Sequence, residues 1–261
     1  MAHKSRHIRL GGSYRTAQVV LRQPMMRTTR RDWHGAENLG THGEGIIVAP
    51  NHISWFDPIV IAHYLFDNGR PPRFMAKQAI FEVAVIGRII DGAGQIPVIR
   101  DEDPTKSLAA AIQALEDGEC LVVYPEGTIT RDPDLWPMSG KTGALRLALE
   151  TGKPLIPIAQ WGAQEVMPPY EKKLKLFPRK TMHVTAGPAV NLDDLRGRTV
   201  DRELLEEGTN RLLDAITGLL EGLRGEKAPA ERLDWAAEKR RRAELTNTEL
   251  TNTELTNTEE D

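Results

Sequence analysis

Residues 48–58 read VAPNHISWFDP and mark a point where a strand runs into a helix. The apolar residues at and before Val48 are typical of a buried strand, and Pro58 favours the first helical turn, which makes Asp57 the predicted N-cap. His52 then lies in the loop between the two elements. Side chains five residues apart on one helix point about 140° apart, so only a loop that folds back can bring His52 to Asp57.

The sequence on either side continues this alternation of strands and helices. Short apolar runs predict further buried strands, and amphipathic stretches predict helices, the clearest at residues 104–117 and 201–223. The alternation predicts an α/β fold with a mainly parallel, twisted sheet of about six or seven strands flanked by helices. The predicted strands cover residues 45–49, 73–76, 96–99, 120–124, 155–160 and 181–186.

Opposite charges are concentrated in two segments of the chain. Residues 1–31 contain eight basic residues and no acidic one, whereas residues 244–261 contain six acidic residues and no basic one. The basic segment suits either an anionic surface or a solvated terminus, and the acidic repeats of Glu-Leu-Thr-Asn-Thr lack apolar residues to bury. We therefore expect a basic segment and possible membrane-surface anchor at 1–32, a main domain at 33–225, a charged helix at 226–243 and a disordered tail at 244–261.

Several classes of protein are disfavoured by features that the sequence lacks. It has no run of about 18 apolar residues, which argues against a transmembrane helix, and no apolar segment follows the basic start, which argues against a signal peptide. Cys120 is the only cysteine, so no intrachain disulfide is expected. The basic residues lack interleaved aromatic residues, which disfavours nucleic-acid binding. We expect a cytoplasmic protein, soluble or peripheral on the inner face of the cell membrane.

His52 and Asp57 are the residue types that general base catalysis requires. The carboxylate accepts a hydrogen bond from one ring nitrogen and sets the tautomer, so the other nitrogen can take a proton from an alcohol. The alternative is that Asp57 only caps a helix and His52 is an ordinary loop histidine. No serine or cysteine nucleophile and no cluster of metal ligands is evident, so we expect neither a covalent intermediate nor a metal.

Two further segments carry residues suited to an anionic group. Arg100 follows a predicted strand, where its guanidinium could bind a phosphate through two hydrogen bonds or pair at the surface with Asp101 or Glu102. After another strand, Gly127 permits close backbone approach, and Glu126 could accept from a hydroxyl or orient Arg100. Lys141 could supply positive charge nearby or lie in solvent.

Four short blocks occur in the order and spacing of the 1-acyl-sn-glycerol-3-phosphate acyltransferase family. They are Asn51-His52-x4-Asp57, Gly94 to Arg100, Pro-Glu-Gly-Thr at 125–128 and Ile-Pro-Ile at 156–158. A single His-x4-Asp would be weak, but four blocks in order are specific. The sequence therefore resembles this family over about residues 33–190.

The resemblance implies transfer of a fatty acyl group from acyl-CoA or acyl carrier protein to the 2-hydroxyl of lysophosphatidic acid, which makes phosphatidic acid in phospholipid biosynthesis. It implies that His52 is the general base and that Asp57 orients it, with no cofactor and no metal. An anionic membrane surface is the further expected partner, and nucleic acid is not. Substrate-binding roles are predicted for Asn51, Ser54, Arg100, Glu126, Gly127, Thr128, Arg131 and Lys141.

The third block departs from the usual pattern of the family. Gly-Thr is usually followed by Arg-Ser, whereas Ile129 and Thr130 follow here, and Arg131 comes one place later. Arg131 is predicted to reach the same phosphate. The departure leaves open another lysophospholipid or a glycolipid as acceptor. A non-catalytic lipid-binding protein is a further alternative, which the intact His52 and Asp57 disfavour.

Overall fold

The computed structural model describes residues 25–77, 95–98, 104–171, 173–241 and 244. The sequence-predicted features that lie outside the described residues are the basic segment before Met25, the phosphate-binding residue Arg100 and the acidic tail beyond Glu244.

A seven-stranded sheet forms the centre of the described part of the chain. Its strands are β1 (Thr29–His34), β2 (Ile46–Pro50), β3 (Pro72–Lys77), β4 (Ile96–Val98), β5 (Cys120–Val122), β6 (Leu155–Trp161) and β7 (Lys180–Ala186). They are ordered β1-β7-β6-β2-β5-β3-β4, and every neighbouring pair is parallel except β6 with β7. The predicted mainly parallel sheet of six or seven strands is therefore confirmed.

Helices cover both faces of the sheet. Alternate residues of β2 point to opposite faces, as in any strand: Ile47 and Ala49 pack in one core cluster, and Ile46 and Val48 pack in another. The first cluster is closed by α2 (Pro104–Glu116), α3 (Gly143–Thr151) and α5 (Arg202–Arg224), and the second by α1 (Asp57–Asp67) and the short α4 (Ala163–Val166). A 3-10 turn covers Ala36–Leu39.

The strand β1 was not expected from the sequence pattern. It pairs in parallel with β7 at the end of the sheet order, and four of its six residues are charged or histidine. Edge strands commonly carry charged residues, so β1 lacks the apolar run that marks a buried strand. The predicted boundary at residue 32 falls inside this strand, so residues 29–32 belong to the sheet.

The charged segment near the end of the described chain is helical at residues 235–241. This helix begins later than the predicted residue 226. The Asp234 carboxylate accepts hydrogen bonds from the Ala236 and Ala237 amides, both at 3.0 Å, which places the N-terminal cap at Asp234. Among the described residues, no helix has the length and apolarity needed to cross a bilayer.

Three parallel strands end side by side at what we call the carboxyl edge of the sheet, formed by the ends of β2, β5 and β6. The loops that follow them therefore meet in space. The segment from 162 to 179 also lies at this edge, because β7 is antiparallel to β6 and starts where β6 ends. Ligands in open α/β sheets bind outside the carboxyl ends of strands.

Candidate active site

His52 and Asp57 are in direct contact at the carboxyl edge. His52 Nδ1 lies 2.8 Å from Asp57 Oδ2, and the same oxygen accepts from the amides of Ile53 at 2.6 Å and Ser54 at 2.9 Å. Three hydrogen bonds to one oxygen hold the carboxylate in a single orientation. The loop between the two residues therefore folds back as predicted.

Asp57 is not the N-cap of α1. The N-cap is Phe56, and it makes no side-chain capping bond. The predicted role is wrong because the Asp57 carboxylate is turned toward the amides of the loop before the helix. The carboxylate therefore serves the loop and the imidazole rather than the helix end.

Burial sets the electrostatics of the pair. The Asp57 side chain is fully buried and that of His52 is 12% exposed. Burial raises the pKa of Asp57, and the hydrogen bond and charge of His52 act in the opposite direction. Because the carboxylate oxygen is an acceptor, the proton of the neutral imidazole belongs on Nδ1, which leaves the lone pair of Nε2 available.

Tyr124 is a site residue that the sequence analysis missed. Its ring stacks on the His52 imidazole, with 4.3 Å between centroids and 29° between planes. Burial raises the pKa of Tyr124 well above its usual value, and the nearby Asp57 charge adds to this, so the phenol stays neutral. The sequence signal that could have identified Tyr124 is its position, since it is an aromatic residue directly before the Pro-Glu-Gly-Thr turn.

The Glu126 side chain holds the loop that contains His52 in place. Its Oε1 accepts from the His52 amide at 2.9 Å, and its Oε2 accepts from the Met138 amide at 3.1 Å. The Thr130 amide donates to the His52 carbonyl at 2.8 Å, which gives a second tie between the two loops. Burial raises the pKa of Glu126 to about 8. Both carboxylate oxygens thus accept hydrogen bonds from backbone amides, and the predicted contact of Glu126 with a substrate hydroxyl or with Arg100 stays a prediction.

Asn51 and Ser54 also bond within the protein. The Asn51 side chain donates to the Gln160 carbonyl at 3.2 Å and accepts from the Gln160 amide at 2.8 Å, which ties the end of β2 to the end of β6. The Ser54 hydroxyl donates to the Met167 carbonyl at 2.6 Å and accepts from the Phe56 amide at 3.0 Å. These contacts position both side chains within the protein, and their predicted contacts with substrate stay predictions.

The Lys141 side chain packs against Gly127 in the loop after β5. Gly127 has a φ of 68°, and an added Cβ would lie 2.9 Å from Lys141 Cε. The Lys141 side chain therefore lies across a turn that only glycine leaves open. Its amide donates to the Pro125 carbonyl at 2.7 Å, which fixes its place beside the turn. Thr128 is partly exposed in the same turn.

Arg131 is exposed and held by aromatic rings. Its guanidinium carbon lies 3.8 Å from the centroid of the Tyr170 ring and 5.3 Å from that of the Trp235 ring. Ile129, which occupies the place of the usual arginine, is completely buried. The Tyr170 hydroxyl donates to the Ile129 carbonyl at 2.5 Å. Arg131 is therefore an exposed positive charge of this loop, and its contact with a phosphate stays a prediction.

Residues 30–161, half of the chain, match the family model described as Acyltransferase. The chain belongs to the Acyltransferase family. It is 31% identical over 142 residues to the chloroplastic 1-acyl-sn-glycerol-3-phosphate acyltransferase of Brassica napus, and 27% identical over 151 residues to the 1-acyl-sn-glycerol-3-phosphate acyltransferase of Bacillus subtilis. These matches cover 53% and 58% of this chain, respectively. The resemblance inferred from the four blocks is confirmed.

The matches cover different shares of the relatives. They span 39% of the Brassica protein and 36% of a chloroplastic Arabidopsis thaliana relative, but 72% of the Bacillus protein. The crystal structure of the 1-acyl-sn-glycerophosphate acyltransferase PlsC from Thermotoga maritima matches with a TM-score of 0.60 and 21% identity, and the match covers 82% of this chain and 84% of that one. This likeness shows that the two proteins share a fold.

Among the described residues, no group of three or more His, Cys, Asp or Glu side chains is arranged to hold a metal ion.

Proposed function

We propose that this chain transfers a fatty acyl group from acyl-CoA or acyl carrier protein to the 2-hydroxyl of 1-acyl-sn-glycerol 3-phosphate, giving phosphatidic acid for phospholipid biosynthesis. The observation that carries the proposal is the His52 imidazole, oriented through Nδ1 by the buried Asp57 carboxylate at 2.8 Å. Membership of the Acyltransferase family and the names of the relatives support the reaction class.

The proposed reaction uses one proton transfer in each direction. His52 Nε2 takes the proton of the acceptor hydroxyl as its oxygen attacks the thioester carbonyl carbon. A C–O bond forms, and the carbonyl oxygen becomes an oxyanion. When the intermediate collapses, the C–S bond breaks and the imidazolium returns the proton to the thiolate. Asp57 stabilises the imidazolium and keeps the proton of the neutral ring on Nδ1.

The oxyanion needs donors that are not already used. The amides of His52, Ile53 and Ser54 already donate to Glu126 and Asp57, so these three are not available to an oxyanion. The amide of the partly exposed Thr128 donates no hydrogen bond within the described residues. We assign it as one donor, since preorganised amides next to a water-poor site are the usual stabilisers of an oxyanion.

The acceptor phosphate needs positive charge near this turn. Arg131 and Lys141 are both exposed, and both belong to the loop that holds Gly127. We propose that they bind the phosphate together with Arg100, which lies outside the described residues. A guanidinium stacked on Tyr170 keeps its edge available for a bidentate contact.

A second acceptor class is favoured by one observation. Ile129 is fully buried where the family usually has arginine, and we propose that Arg131 makes the headgroup contact instead. Another lysophospholipid or a glycolipid is therefore the alternative acceptor for the same chemistry.

The experiment that tests the proposal incubates purified protein with a panel of lysolipids and with both thioester donors, and identifies products by mass spectrometry. Phosphatidic acid from lysophosphatidic acid is the expected main product. A different acylated lipid would establish the alternative, and no product from any pair would refute catalysis.

We also propose that the protein acts at the inner face of the cell membrane, with the basic N-terminal segment as one contact. Residues 1–24 carry five basic residues, and each charge near an anionic surface contributes about 1 kcal/mol. Deleting residues 1–24 spares Thr29–His34, the strand β1. The deletion should weaken salt-sensitive binding to anionic vesicles, and unchanged binding would locate the contact elsewhere.

A further inference from the structure

A loop beside the active site exposes apolar and basic side chains together. The segment 171–180, here called the docking loop, follows α4 and ends at Lys180, the first residue of β7. Leu174 and Phe177 are 52% and 75% exposed. The loop has five basic residues and one acidic residue, Glu171. Within the part of the chain that the structure describes, neither the Lys173 nor the Lys175 ammonium group has an acidic partner.

Contacts to the rest of the domain fix the docking loop in place. The Lys175 amide donates to the Val166 carbonyl at 2.7 Å, and the Arg179 guanidinium donates to the Thr29 carbonyl at 2.7 Å. Leu176 packs against the core. The loop thus turns one apolar side chain inward, while Leu174 and Phe177 remain in solvent.

The docking loop lies at the same edge of the sheet as His52. Four of the five exposed large apolar residues in the described part of the chain are on loops at this edge: Trp55, Tyr170, Leu174 and Phe177. Trp55 follows Ser54, whose hydroxyl is bonded to Met167 just before the docking loop. The fifth, Val200, is in the segment that leaves the opposite edge after β7. Exposed apolar side chains are therefore concentrated on one side of the molecule.

We propose that the docking loop and Trp55 form a surface that binds an anionic lipid bilayer and sets the carboxyl edge against it. Apolar side chains beside lysines match an interface in which acyl chains lie under anionic headgroups. An acidic protein would complement the lysines but not Leu174 and Phe177. The inference rests on the proposed function in one respect, since an acceptor that is a membrane lipid has to reach His52 from a bilayer.

The test measures partition of the full-length protein onto vesicles of phosphatidylcholine with phosphatidylglycerol. The double variant Leu174→Ser/Phe177→Ser should partition about 10- to 100-fold more weakly, because burying a Leu or Phe side chain is strongly favourable. Val200→Ser, at 49% exposure in the native chain, is the matched control and should bind like the wild type. Lys173→Gln and Lys175→Gln should each weaken binding about five-fold, and only on the anionic vesicles.

Activity separates this inference from the proposed function. The double variant should acylate a short-chain, water-soluble lysophosphatidic acid at the wild-type rate, because neither side chain belongs to the catalytic machinery. Unchanged vesicle binding by the double variant would overturn the surface. If the KM of the double variant for an acyl carrier protein donor is raised as well, the surface binds that protein and not the bilayer. Wild-type protein that binds vesicles but acylates no lysolipid would instead refute the proposed function.

Discussion

Replacing Glu126 with glutamine removes the buried ionisable group that braces the His52 loop. The pKa of Glu126 is raised by burial to about 8 from an ordinary value of 4.5. Between these two pH values the folded protein retains a proton that the unfolded chain has lost. Wild-type stability therefore falls as pH rises from about 4.5 to about 8, by about 1.4 kcal/mol per pH unit, and this contribution is constant above about 8.

The glutamine variant lacks this contribution at every pH. The free energy of unfolding of the wild type minus that of Glu126→Gln should thus decrease by about 5 kcal/mol between the two ends of that range. Urea unfolding of both proteins at a series of pH values measures it, and the subtraction cancels groups that titrate alike in the two proteins. A difference that stays constant or grows with pH would refute the assignment of Glu126 as a buried, proton-retaining brace.

Three other substitutions test neighbouring parts of the site. Asp57→Asn should lower kcat/KM about 10²–10⁴-fold through loss of the charge that stabilises the imidazolium, and should leave a folded protein by thermal unfolding. Gly127→Ala should raise the acceptor KM, because its Cβ displaces Lys141, whereas Gly197→Ala, with φ of 76° and nothing within 4 Å, should show only the backbone cost of about 1–2 kcal/mol. Arg131→Gln should raise the acceptor KM more than the donor KM, and equal effects would count against phosphate binding.

Local patterns predicted most of the sheet and the pairing of His52 with Asp57. Apolar runs placed the buried strands within a few residues, as at β3, predicted at 73–76 and observed at Pro72–Lys77. Both predictions depend only on residues that are close together in the sequence. An apolar run marks a strand buried on both faces, and a five-residue loop places its own ends close together.

The internal hydrogen bonds of the site, which were not predicted, join distant parts of the chain. Asn51 bonds to Gln160, 109 residues away, and Glu126 reaches the amide of His52, 74 residues away. The polarity of a side chain does not show whether its hydrogen-bond partner is a substrate or a buried backbone amide. The edge strand β1 was missed for a different reason, since its charged residues face solvent and leave no apolar signal.

Pro157 lacks an amide donor, which is typical of an edge strand or a bulge, yet β6 lies between β2 and β7. The pairing of β6 with β7 begins only at Ile158, so no β7 partner is required at Pro157. The sequence shows that Pro157 lacks an amide donor. It does not show where the pairing with β7 begins, because that depends on the fold.

The most direct test of the account is the turnover of His52→Ala with lysophosphatidic acid and acyl-CoA, in protein shown to be folded by circular dichroism. A matched control is His34→Ala, since His34 also bonds to an aspartate, Asp32, at 2.8 Å but is on the edge strand and 61% exposed. The account predicts a loss of about 10²–10⁴-fold for His52→Ala and wild-type turnover for His34→Ala. A folded His52→Ala protein that turns over at the wild-type rate would contradict it.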